Sequence, residues 1–134
     1  METNQATETI KLSLPANAAY VSAARLTASS IANRMNFYID EIEDIKTAVS
    51  EACAFLIKKS SDSGKNSFKI KFKLEPQKLT INFSFPAPKE FDCDETDMSI
   101  LMIKGLMDTF VTQHDDDGSF IMTMYKIHKE VSFD

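Results

Sequence analysis

Glycine is scarce in this chain. There are three in 134 residues, Gly64, Gly105 and Gly118, and they lie far apart. A nucleotide site built from backbone amides needs several glycines together, because only a residue without Cβ lets the main chain approach a phosphate closely. Neither a G-x-G-x-x-G run nor a P-loop is present. Tryptophan is absent, and the two histidines, His114 and His128, have no metal-ligand spacing to each other or to the cysteines. Of the two cysteines, Cys53 has small and apolar neighbours and reads as a buried small hydrophobe. Cys93 lies in an acidic loop, where a depressed thiol pKa is not expected. No run is long and apolar enough to span a membrane. The opening Met1-Glu2-Thr3-Asn4-Gln5 lacks the basic start and apolar middle of a signal peptide. The expectation is a cytoplasmic protein that engages no membrane and forms no disulfide. A formal net charge of −5 argues against a nucleic-acid partner.

What is there is patterned for one soluble domain. The hydrophobic fraction is 43% and the charged fraction 26%, enough for a real core at this length. Residues 1–8 are expected to be frayed and 9–134 to form a single domain. Residues 9–14 alternate, with Ile10, Leu12 and Leu14 on one face, and Pro15 ends the strand. Asn17 is placed to cap a helix over 18–35, with a stripe of Tyr20, Ala24, Thr27, Ile31 and Met35. Asp40 and Glu41 open a second helix, where negative charge suits the dipole. Its stripe is Ile42, Ile45, Val49, Ala52 and Leu56, and the serine-rich 60–64 reads as a loop.

A hairpin follows. Phe68, Ile70, Phe72 and Leu74 alternate with Lys69, Lys71 and Lys73, and Leu79, Ile81, Phe83 and Phe85 alternate with Thr80, Asn82 and Ser84. The lysine row reads as the solvated outer face of a sheet, since no aromatic residue of the hairpin lies on that side to stack bases. Residues 98–111 read as a third helix, apolar on nearly every side, with Met102 and Met107 on different faces. Such a helix is deeply buried or offers an adaptable partner surface. Asp115-Asp116-Asp117-Gly118 reads as a solvated turn and 120–127 as the last strand. Each strand has one polar face, so the helices should share the other. The expected fold is α/β, a two-layer sandwich with a mixed or antiparallel sheet of about four strands and three helices on one face.

The chemistry centres on Val49-Ser50-Glu51-Ala52-Cys53-Ala54-Phe55-Leu56. Glu51 and Phe55 are four apart and share a helix face. A glutamate with an asparagine four residues later is a Mg-ATP arrangement: the carboxylate orients a nucleophile and the amide oxygen ligates the metal. Phenylalanine in the second position offers Mg²⁺ no oxygen.

Element order and local sequence together resemble the anti-sigma factor/serine kinase family of the histidine-kinase-like (GHKL, Bergerat-fold) ATPases. The resemblance rests on Ala24-Arg25-Leu26-Thr27, on the run from Asp40 through Glu51 to Cys53, and on Leu106-Met107-Asp108 with the terminal strand. It implies a protein that binds a sigma factor and phosphorylates a serine of a STAS-type anti-anti-sigma protein, possible homodimers included. It places Glu51 on the catalytic glutamate and Phe55 on the Mg²⁺-binding asparagine. It places Phe85-Pro86-Ala87-Pro88-Lys89 on the adenine-recognising Asp-x-Gly-x-Gly segment, and Asp97-Met98-Ser99-Ile100 on the glycine-rich lid. All three nucleotide elements depart from the family pattern. The implied protein is therefore an anti-sigma-like regulator with a degenerate site, no cofactor, a vestigial Glu51 and a partner contact at Arg25, to which the apolar pattern of the third helix adds Met102 and Met107. The alternatives are an active ATP- and Mg-dependent serine kinase, or a non-catalytic dimer partner of one.

Overall fold

A computed structural model describes residues 7–63, 67–86, 94 and 96–130. The strands are β1 (Glu8–Pro15), β2 (Ser67–Glu75), β3 (Lys78–Pro86), β4 (Thr109–His114) and β5 (Ser119–Ile127). The helices are α1 (Val21–Arg34), α2 (Ile39–Ser63) and α3 (Met98–Leu106), with a short 3-10 turn at Ala18–Tyr20 ahead of α1. The strands form one sheet in the order β1-β2-β3-β5-β4, every neighbouring pair antiparallel. The last strand is thus inserted between β3 and β4.

Strict alternation sets which face is which. Phe68, Ile70, Phe72 and Leu74 of β2 are buried, as are Leu79, Ile81, Phe83 and Phe85 of β3 and Phe120, Met122 and Met124 of β5. These side chains meet the helices in one core, the second layer of the sandwich. α1 contributes Ala24, Ala28, Ile31 and Ala32, and its alanines let α2 come close. α2 contributes Ile45, Ala48, Val49, Ala52 and Leu56, and α3 contributes Ile100 and Ile103. Pro76 and Gln77 make the β2–β3 turn. Proline presets the first turn position and Gln77 takes the left-handed one at φ 61°.

The sheet has five strands rather than the expected four, and the third helix stops earlier than its apolar pattern suggests. α3 ends at Leu106, and Phe110 and Val111 belong to β4. Met107 is already extended, at φ −104° and ψ 161°. Asp108 then turns the chain onto β5: its N–H donates to Tyr125 O and its Oδ2 accepts from Ile127 N. Lys126 reinforces the stop by donating to Leu106 O at 2.6 Å and pairing with Asp44 at 3.1 Å, a cation at a helix C-terminus. α2 is longer than expected and continues to Ser63. Within it the Ser60 hydroxyl donates back to Ile57 O, which satisfies a buried polar group. Asn17 caps as expected, its Oδ1 accepting from Ala19 N.

Candidate functional site

Glu51 and Phe55 sit one turn apart on α2, beside the start of α3. Glu51 is half-buried, and its Oε1 accepts a hydrogen bond from the Ser99 hydroxyl at 2.8 Å. Ser99 lies in the first turn of α3, where its own N–H donates to the N-cap Asp97. The carboxylate therefore already has a hydroxyl partner, supplied by the chain itself rather than by a loop amide or a lysine. Phe55 is 1% exposed and part of the core, with Lys59 Nζ 5.5 Å from its ring centroid on the outer side. Cys53, two residues after Glu51, is fully buried, and loss of water pushes its thiol up to about 12, so it is no nucleophile at neutral pH.

The segment expected to correspond to a glycine-rich lid is a capped helix start instead. Asp97 holds the first turn and Ile100 is fully buried in the core. Of the segment on the adenine side, Phe85 is buried at the end of β3, while 87–89 lie outside the described residues, as does Cys93. Among the described residues, the position that the resemblance gives to a Mg²⁺-binding asparagine is a core aromatic, Phe55, which offers a metal no oxygen, and the Glu51 carboxylate accepts from the Ser99 hydroxyl. Among the described residues no three His, Cys, Asp or Glu side chains converge as a metal site. No helix of the described residues is long and apolar enough to cross a membrane.

The expected partner residues fare differently. Arg25 is half-buried on α1, and its guanidinium donates to Ser50 Oγ of α2 at 3.4 Å; next to it Leu26 is 64% exposed. Met102 is on the outer side of α3 with Met98 and Leu101, all exposed. Met107 is a correction: it is 6% exposed and packs in the core, because the helix ends before it and the chain turns inward.

Sequence reasoning missed a buried polar cluster at the other end of α2. Glu41, in the first turn, accepts from Tyr38 N at 2.7 Å, Lys129 N at 2.9 Å and His128 Nδ1 at 2.7 Å. The first of these is half of a capping box, which the spacing Tyr38-x-x-Glu41 could have signalled. The other two cross 87 and 88 residues of sequence. His128 is edge-on to Phe37 and Tyr38, and its N–H reaches Gln77 O. The cluster pins the chain after β5 to the start of α2.

Comparison with known proteins places this geometry among others. The histidine kinase-like ATPase domain matches residues 14–126. A serine-protein kinase RsbW of Bacillus cereus (strain G9842) is 32% identical over 145 aligned positions, covering 95% of this chain and 91% of that protein. One from Bacillus mycoides (strain KBAB4) is 31% identical with the same coverage. Among solved structures, the RsbU and RsbW domains of a Mycobacterium tuberculosis protein superpose with a TM-score of 0.68 at 14% identity, over 94% of this chain and 34% of that one. The SiaB–SiaC complex of Pseudomonas aeruginosa gives 0.64 at 7% identity, over 88% and 89%. These last two speak to the fold alone.

Proposed function

Because the chain belongs to the histidine kinase-like ATPase domain family, we propose that it is an anti-sigma-like regulator that works by binding protein partners, without ATP. Its partners are a sigma factor, a STAS-type anti-anti-sigma protein, or both. The observation that carries this reading is the pairing of a core phenylalanine at the metal position with a carboxylate bonded to the chain's own serine. Phosphoryl transfer depends on positioning and on charge neutralisation by a metal. Neither Phe55 nor the glycine-free start of α3 supplies it, so no phosphoryl step is assigned to Glu51. Support for partner binding comes from the RsbW relatives and from the exposed Leu26 beside Arg25 and Met98, Leu101 and Met102 on α3. Their adaptable apolar side chains suit a protein contact.

Two measurements test this. A ligand at 100 times its dissociation constant stabilises a fold by about 2.7 kcal/mol. Thermal unfolding with millimolar Mg-ATP is expected to show no magnesium-dependent rise; a clear one favours the active-kinase alternative. Calorimetry against sigma and STAS proteins of the same genome should then give a complex whose affinity is the same with and without Mg-ATP. Failure of every such protein to bind would refute the regulator reading.

Arg25→Glu offers a finer probe. The side chain is half-buried against Ser50, so a stability change of about 1 kcal/mol or less is expected. Binding to an acidic partner patch should weaken, more at low than at high ionic strength. Equal affinities for a folded variant would remove Arg25 from the contact and leave α3.

A further inference from the structure

The open face of the sheet, opposite the helices, carries a feature that the partner-binding reading does not use. β1 pairs with β2 in a register that sets Lys11 directly across from Lys71 and Ser13 across from Lys69. The β2–β3 register continues these rows to Asn82 and Ser84. The outcome is a hollow of about 500 Å³ lined by these rows and by the apolar Leu12, Ile70 and Ile121. That volume falls within the range of about 300–1,000 Å³ of small-ligand sites.

Two observations point to an anion. Like charges facing each other across antiparallel strands destabilise a sheet, and Lys11 and Lys71 do so in a protein of net charge −5. Among the described residues no ion pair or hydrogen bond compensates Lys11, Lys69 or Lys71, although Lys46, Lys126 and Lys129 all have carboxylate partners.

We propose that this hollow binds a compact polyanion carrying a chain of two or more phosphates. Three ammonium groups neutralise the charge, and the Ser13 and Ser84 hydroxyls supply directional bonds. A long polyanion is disfavoured by the acidic remainder of the molecule. The phosphate chain can be free or belong to a nucleotide, and the two are separable.

The test uses the whole protein in EDTA, with tripolyphosphate and, separately, ADP as probes, followed by calorimetry and by ¹⁵N amide shifts. Tripolyphosphate is expected to bind and to shift amides around Lys11, Lys69, Lys71 and Asn82, with sulfate at equal ionic strength producing no such pattern. The double variant Lys11→Gln/Lys71→Gln should bind at least tenfold more weakly while unfolding at the wild-type temperature or above it, since it removes the facing charges. Lys104→Gln, on α3, should bind as the wild type does. Parallel behaviour of ADP supports a nucleotide phosphate chain as the source, and its failure where tripolyphosphate binds supports a free one. Absence of tripolyphosphate binding, unchanged affinity in the double variant, or shifts centred on Glu51 and Ser99 would overturn the proposal. So would a phosphate-independent dimer that protects these amides, which would assign the face to a second copy.

Discussion

Replacing Phe55 with alanine is expected to cost about 3–5 kcal/mol of folding stability, the usual loss for truncating a core aromatic. The ring is 1% exposed and belongs to the core shared by the helices and the sheet. A domain of this size has only about 5–15 kcal/mol of stability in total, so the variant should unfold early in a urea titration, with its slope unchanged if the denatured state is the same. A loss under about 1 kcal/mol would put Phe55 among benign surface positions and undo the argument that it fills the metal position. Phe55→Asn should be no better, because it buries an amide without partners. It should also fail to confer Mg-ATP binding, as Ser99 still occupies Glu51.

Glu41→Ala should be comparably severe. Truncation leaves Tyr38 N, Lys129 N and His128 Nδ1 without their acceptor, and breaking a buried pair by removing one partner costs about 3–5 kcal/mol. An ionised carboxylate only accepts, so Nδ1 carries the hydrogen. The wild type should show the matching pH dependence. Burial alone would raise the Glu41 carboxyl, but the N–H groups of Lys129 and Tyr38, and then His128, hold it below its ordinary value. A folded-state value below the unfolded one, about 4.3, gives stability that is complete above the unfolded value and is lost as pH falls through the folded one. Urea midpoints measured from neutral to acidic pH should fall in the wild type and fall less in the variant. Parallel curves would show that Glu41 is not the titrating group.

The hairpin was legible because Phe68 to Leu74 and Leu79 to Phe85 alternate without a fault, and a one-residue slip would expose every large side chain. The helices were legible from their stripes, and the candidate site from the departure at Phe55. Three things were hidden for physical reasons. β4 was invisible because Phe110 and Val111 continue the helical spacing of Ile103 and Met107, and the break comes from bonds between Asp108 and a strand that arrives later. The hydroxyl on Glu51 comes from 48 residues away. By alternation alone the lysine row of β2 is a solvated face. Only pairing with β1 brings Lys11 against it, and only β5 brings an aromatic, Tyr125, to the same side, where Lys78 Nζ lies 4.3 Å from its ring centroid.

The insertion of β5 between β3 and β4 governs how the molecule can be made. β1 finds its neighbour only after β2 has been synthesised, with Leu12 opposite Ile70, and β4 has no neighbour other than β5. A chain interrupted before Phe120 has two of its five strands joined as a hairpin, a third at its edge, and an unpaired β4. It also lacks the histidine that fastens the start of α2. Non-local pairing of this kind slows folding, because loop closure precedes the contacts that reward it. Incomplete chains then present open strand edges, templates for pairing with other chains. Only the arrival of the last strand closes the gap between β3 and β4, so the sheet is finished at the end of synthesis.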